Sequence, residues 1–177
     1  MSALGDVHVL VVDDNQPMRL LVRSLLRAGG LANVSEAETA AHAFEVMRAR
    51  PVDLVLVDWM MQPVDGLSFT RMVRWDSASL NPYLPILMLT AHTEASRVAA
   101  ARDAGVTGFI KKPISTRLLF DRVASALTDA RMFIRTEDFF GPDRRRGLAR
   151  NYEGPLRRAT DHPQRTETVD LDDLRVA

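Results

Sequence analysis

Short apolar runs alternate with longer amphipathic stretches through residues 1–130 of the chain. His8 to Val12 (HVLVV) ends at Asp13-Asp14, and Leu54 to Val57 (LVLV) ends at Asp58. Ile86 to Leu89 (ILML) ends at Thr90, and Gly108 to Ile110 (GFI) ends at Lys111-Lys112-Pro113. Runs this short and apolar on both faces predict strands of a parallel sheet covered on both sides. A weaker strand is expected over Asn33 to Ala37. Between them, Pro17 to Arg27 carries Met18, Leu21, Val22, Leu25 and Leu26 at helical spacing and stops at Gly29-Gly30. The stretches Thr39 to Arg48, Leu67 to Trp75, Glu94 to Ala104 and Ser115 to Ala130 follow the same logic. Gly105 closes the fourth, and Ser115 is placed to cap the fifth. Five β-α units in succession predict an α/β doubly wound sheet with helices on both faces.

Beyond residue 130 this pattern stops. Pro, Gly and Arg become frequent, and the apolar residues that remain cluster in Met132-Phe133-Ile134 and Phe139-Phe140. Gly141-Pro142-Asp143-Arg144-Arg145 recurs as Gly154-Pro155-Leu156-Arg157-Arg158. From Arg144 to Arg165 seven arginines face only Glu153 and Asp161, whereas the last dozen residues are acidic. The expected division is therefore a domain over 1–130 and an extension over 131–177, partly disordered and without a recognisable output domain. In that extension Met132-Phe133-Ile134 would pack on the domain. The alternative is a docking peptide with Phe139, Phe140 and Tyr152 as anchors. The spacing of Arg146 and Arg150 suits a cyclic-dinucleotide-binding PilZ motif, but the tail contains no serine for the second motif and is too short for a barrel.

Composition narrows the function. Hydrophobic residues make up 46% of the 177, enough for a core. The 23 basic and 23 acidic residues cancel, which weakens the case for nucleic acid or an anionic membrane as partner. No apolar run approaches a membrane span and no signal pattern opens the chain, so a cytoplasmic location is expected. Without cysteine there is no disulfide, thiolate metal site or cysteine nucleophile. Lys111 and Lys112 are the only lysines in an arginine-using chain. Codon bias accounts for that pattern, and so does a need for a compact ammonium at one place.

The strand ends carry the candidate chemistry. In an open parallel sheet ligands bind beyond the carboxyl ends of the strands, and here those ends hold Asp13, Asp14, Asp58, Thr90 and Lys112. Each has an ordinary reading: Asp14 as a helix N-cap, Thr90 as a strand residue, Asp58 as a turn former. Together they suit phosphoryl transfer to a carboxylate. Three clustered acids repel one another unless a hard cation sits among them, and Mg²⁺ takes a few carboxylate oxygens, waters and phosphate. An aspartate can then be the nucleophile, with a lysine and a hydroxyl orienting the phosphoryl oxygens.

These residues resemble the receiver domain of two-component response regulators, the family whose single-domain form includes the chemotaxis regulator. The matching elements are Val11-Val12-Asp13-Asp14, Asp58-Trp59-Met60-Met61 through Asp65-Gly66, Thr90-Ala91 and Lys112-Pro113, covering roughly residues 7–130. The resemblance implies a flavodoxin-like (βα)5 fold with strand order 2-1-3-4-5. It implies Asp58 as phosphoacceptor, and Asp13, Asp14, Asp58 and the Met60 backbone carbonyl as Mg²⁺ ligands. Thr90 would be the switch hydroxyl and Phe109 the aromatic that swings inward. Lys112, the lysine before proline, would pair with the phosphate in preference to Lys111. The implied partners are a histidine kinase or phosphotransfer protein and a downstream protein. A homodimer could form on the face of the fourth helix, fifth strand and fifth helix.

Three features depart from the family or bear on tuning. Gln62 stands where the family has proline, with Pro63 one later, so a reshaped loop with the site retained is expected. Phe109 lacks a hydroxyl. His92 and Met60 occupy positions that tune phosphoryl lifetime. The rival readings are a phosphorylation-independent scaffold or dimerisation module, and a phosphohydrolase of the haloacid dehalogenase type. The second needs an acid two residues past its nucleophile, where this chain has Asn15 after Asp13 and Met60 after Asp58.

Overall fold

Side chains alternate across a strand, and a sheet with helices on both faces buries both sets. Val9 to Val12, Leu54 to Asp58 and Ile86 to Thr90 are buried along their whole length for this reason. The computed structural model describes residues 6–77, 79–91, 95–143 and 167–169. In chain order these form β1 (Val9–Val12), α1 (Gln16–Ala28), β2 (Val34–Ala37), α2 (Ala40–Ala49), β3 (Leu54–Asp58), α3 (Gly66–Trp75), β4 (Ile86–Thr90), α4 (Ala95–Asp103), β5 (Gly108–Lys111) and α5 (Thr116–Leu127). The five strands are all parallel in the order 2-1-3-4-5. This is the doubly wound, flavodoxin-like sheet expected from the sequence.

Two apolar layers sandwich it. On one face Leu10, Val12, Val55, Val57, Ile86 and Met88 pack with Ala43 and Met47 of α2, Phe69 and Val73 of α3 and Ala101 of α4. On the other, Val9, Val11, Leu54, Leu56, Leu87, Leu89 and Ile110 meet Val22 and Leu26 of α1 and Leu119 and Val123 of α5. The helices start at side-chain caps. Asn15, Thr39, Asp65 and Ser115 each accept a hydrogen bond from the amide three residues on, satisfying one of the free N–H groups of a first turn. The cap of α1 is Asn15, not Asp14, so the alternative reading of Asp14 fails and its carboxylate is available elsewhere.

A hairpin follows α5 that no periodic pattern announced. β6 (Phe133–Arg135) and β7 (Phe140–Pro142) pair antiparallel, and β8 (Glu167–Val169) joins the other side of β6. The turn closes through Thr136 N–H to Phe139 O at 2.7 Å, with Thr136 Oγ1 accepting from the Phe139 amide. Phe133 and Phe140 are buried against the domain, so packing of the segment around Phe133 occurs as expected, although Met132 is exposed. Phe140, read from sequence as an anchor for a foreign partner, is buried against its own chain. Tyr152 and the repeated Gly-Pro-x-Arg-Arg copy at 154–158 lie outside the described residues.

The hairpin docks at the end of the sheet where β4 and β5 begin. Phe133, Phe140 and Tyr83 form an edge-to-face cluster with centroids 5.3 to 6.1 Å apart, and Trp75 meets Phe140 at 6.1 Å. Arg74, 1% exposed, lies beneath. It donates from Nε to Gly105 O at 3.0 Å and from Nη1 to Pro82 O and Leu84 O, and its guanidinium carbon sits 5.1 Å from the Phe133 ring centroid. Burial pushes this guanidinium down to about 9, still well above neutral pH, so the charge is retained. Gly105 has φ +92°, and a Cβ on it would lie 2.3 Å from Phe140 O. Only glycine serves both demands. Phe140→Ala is expected to cost the domain about 3 kcal/mol of unfolding free energy by loss of burial and the cavity left behind. Urea denaturation followed by circular dichroism measures it. A change below ~0.5 kcal/mol would mean the hairpin lies outside the cooperative core.

Candidate functional site

The pairing register sets the functional groups side by side. Val12 lies opposite Val57, so Asp13 emerges level with Asp58, while Thr90 lies opposite Lys111. The strand ends are tied in sequence: Asp13 N–H to Ala37 O, Trp59 N–H to Leu89 O and Lys112 N–H to Thr90 O, at 2.8 to 3.1 Å. This brings one carboxylate oxygen from each of Asp13, Asp14 and Asp58 within 4.8 Å of the others. Asp13 and Asp58 are buried and Asp14 is exposed.

Lys112 supplies the opposing charge. Its Nζ lies 2.7 Å from Asp58 Oδ1 and 3.5 Å from Asp13 Oδ2. Lys111 is exposed, one residue off in a strand whose side chains alternate. Backbone amides take the remaining oxygens: Asn15 N–H donates to Asp13 Oδ1 at 2.8 Å, Met60 N–H to Asp58 Oδ2 at 3.1 Å, and Gln62 N–H to Asp14 Oδ2 at 3.2 Å. The Gln62-Pro63 peptide is cis, and the loop reaches the acids through the Gln62 amide. Burial raises the Asp13 carboxyl above its usual range and the Asp58 charge adds to this, against the Asn15 amide and Lys112, which pull it down.

The sequence did not show what several supporting residues do. Gly66 opens α3 directly under the site, where a Cβ would lie 2.3 Å from Asp58 O, and its N–H donates to Trp59 O at 3.0 Å. Asp65 and Gly66 therefore have a local physical task, capping α3 and letting it approach Asp58. Arg19 Nη1 donates to Asp13 O at 2.7 Å, and Arg19 and Arg23 both pair with Glu36, bracing α1 and β2 around the acid turn. Arg19 and Arg23 on α1 and Glu36 on β2 gave no sequence signal for this pairing.

Thr90 is buried at the end of β4, and Phe109 on β5 is half-buried against the layer that holds Met88. Met60 is 62% exposed beside Asp58. His92 lies outside the described residues. Three carboxylates with one ligand oxygen each at this separation suit a hard divalent cation. The single ammonium leaves the cluster net negative.

Residues 9–124 match the response regulator receiver domain family. The chain belongs to that family. It is 32% identical over 117 residues to the chemotaxis protein CheY of Pseudomonas aeruginosa, covering 66% of this chain and 93% of that one. It is likewise 32% identical over 118 residues to CheY-3 of Vibrio cholerae, covering 67% and 89%. Among solved structures, CheY4 of Vibrio cholerae superposes with a TM-score of 0.62 at 28% identity, over 68% of this chain and 98% of that one. The receiver of a two-component response regulator with a GGDEF domain gives 0.62 at 31% identity, over 69% and 49%. The chain is therefore a receiver with an acidic pocket beside Lys112, not a conventional enzyme, and membership implies a partner histidine kinase. Among the described residues no helix is long and apolar enough to cross a membrane.

A buried carboxylate whose pKa is raised destabilises the fold at every pH above that pKa, and the cost fades as pH falls through it. Asp13→Asn keeps an oxygen for the Asn15 amide and removes that charge. In chelator-treated buffer the variant is expected to melt higher than the wild type, and added Mg²⁺ is expected to raise the wild-type melting temperature but not the variant's. Thermal melts with and without Mg²⁺ test both effects.

Proposed function

We propose that this chain is a two-component response regulator in which Asp58 accepts a phosphoryl group from a histidine kinase or phosphotransfer protein. The observation that carries the reading is Lys112 Nζ at 2.7 Å from Asp58 Oδ1, inside a cluster of three acids at the carboxyl edge of the sheet. An Asp58 oxygen would attack phosphorus and form an acyl phosphate as the donor's P–N bond breaks. Asp13, Asp14, Asp58 and the Met60 carbonyl would hold Mg²⁺, which when bound neutralises carboxylate and phosphoryl charge. Lys112 then pairs with phosphoryl oxygens instead of the carboxylate, and the Thr90 hydroxyl donates to another.

The output follows from these moves. Thr90 moving toward the phosphoryl group vacates space that Phe109 can enter, altering the α4-β5-α5 face for a downstream protein or a second copy of the chain. The reading places the protein in the cytoplasm, with residues 1–130 as the receiver and 131–177 as an extension carrying no output domain of its own. A phosphorylation-independent scaffold is the outcome if Asp58 accepts nothing.

Intact-mass spectrometry after incubation with acetyl phosphate tests this. The wild type is expected to gain one phosphate only with Mg²⁺ present, and Asp58→Asn to gain none. No adduct on folded wild type, with no beryllofluoride bound either, would sink the reading. Between the lysines, Lys112→Met is expected to slow adduct formation on the order of 10²-fold, whereas Lys111→Met should leave the rate near wild type.

A further inference from the structure

The hairpin and the acid cluster sit at opposite ends of the same three elements. Helix α3 begins at Gly66, under Asp58, and ends at Arg74 and Trp75, under Phe133 and Phe140. Strand β4 begins next to Leu84, whose carbonyl Arg74 holds, and ends at Thr90. Strand β5 ends one residue before Lys112 and follows Thr107, whose carbonyl accepts from Arg131 Nη2 at 2.8 Å. Arg131 is itself locked by Asp129 and reaches Asp143 O, at the far end of the hairpin. Thus the segment 131–143 holds the starts of β4 and β5 and the end of α3, whose other ends carry or support Thr90, Lys112 and Asp58.

The contact has no slack at its centre. A Cβ on Gly141 would lie 2.7 Å from Gly105 Cα, and one on Gly105 would lie 2.3 Å from Phe140 O. Backbone meets backbone where α4 turns into β5, so a shift of that corner cannot be absorbed by a flexible side chain. Arg74 adds a bias toward release, since its Nη2 is buried with no hydrogen-bond partner among the described residues, a cost that exposure to water would remove. Its enclosure depends on Phe133 lying over it. The docked hairpin fits the arrangement in which Lys112 pairs directly with Asp58.

We propose that the base of the receiver, formed by Arg74, Trp75, Tyr83 and Gly105, is a docking surface for the chain's own residues 131–143, and that phosphorylation of Asp58 weakens that docking. The inference rests on the receiver reading above. Drawing Lys112 and Thr90 toward a phosphoryl group displaces the ends of β5 and β4, and the rigid Gly105–Gly141 contact transmits the displacement as lost fit. Residues 131–143 are then released as an output element, in addition to the α4-β5-α5 face.

The test uses the full chain with Mg²⁺ and beryllofluoride, with bound beryllofluoride registered by fluorine NMR and amide hydrogen exchange followed in peptides covering 133–142. Exchange there is expected to quicken at least about fivefold on beryllofluoride binding, the lower range of coupling between linked sites. Linkage is reciprocal, so loosening the hairpin must favour the bound state. Arg135→Gln removes the guanidinium 5.6 Å from the Trp75 ring and 5.2 Å from that of Phe140 while leaving both rings in place. It is expected to bind beryllofluoride more tightly than wild type by a similar factor. Unchanged or slowed exchange in a sample that binds beryllofluoride overturns the inference and leaves the receiver reading standing. Absence of any bound beryllofluoride overturns both.

Discussion

Three carboxylates held within 4.8 Å, two of them buried, form an arrangement that repulsion and desolvation both oppose. Much of the local structure offsets this. The parallel register leaves no freedom in where Asp13 and Asp58 emerge, and amides of Asn15, Met60 and Gln62 each take one carboxylate oxygen. Lys112 bridges the two buried acids from the end of β5. Asp13 nevertheless keeps a raised pKa, so the offset is incomplete. That residual cost is what a bound cation would recover. A site fully satisfied by the protein alone would have little affinity left for a metal or a phosphoryl group.

The opposite edge carries a second buried charge under different rules. Arg74 is held by three carbonyls and an aromatic face, and burial lowers its pKa to about 9. The hydrogen bonds are charge-assisted and recover part of the desolvation cost. They also tie the end of α3 to the start of β4 and to the α4–β5 corner. Phe133 and Phe140 complete the cover over this group, which makes the hairpin part of the receiver's packing although the family match ends at residue 124.

What was legible in the sequence follows burial. β1, β3 and β4 are covered on both faces, so their residues form unbroken apolar runs and their polar terminators stand out. β2 is an edge strand in which only Ala37 is fully buried, and its signal over Asn33 to Ala37 was weak accordingly. The acids and Lys112 were legible because a charged residue ending an apolar run has few structural reasons to be there. Gly66 was legible as part of the family pattern but its physical task was not, since that arises from a carbonyl eight residues earlier that only the folded loop brings near. Arg74 looked like an ordinary basic residue in the last turn of a helix. Its burial depends on Phe133 and Phe140, in strands of three residues each, too short to show a period.

The two cations, Arg74 buried and Lys112 partly exposed, also explain why a lysine stands at the site in a chain that otherwise uses arginine. Arg74 must reach Gly105, Pro82 and Leu84 carbonyls at once while its flat face lies against Phe133, which a planar fork does and a point charge cannot. Lys112 has the opposite task. It sits 2.7 Å from one Asp58 oxygen and, under the proposed reaction, would have to follow the charge onto the phosphoryl group of the acyl phosphate. A guanidinium locked bidentate onto Asp58 would cover both carboxylate oxygens, including the one the reaction uses. A compact ammonium on a flexible stem leaves the second oxygen to the Met60 amide and can be redirected by a small rotation. The choice between the two cations is set by whether the charge must hold still or move.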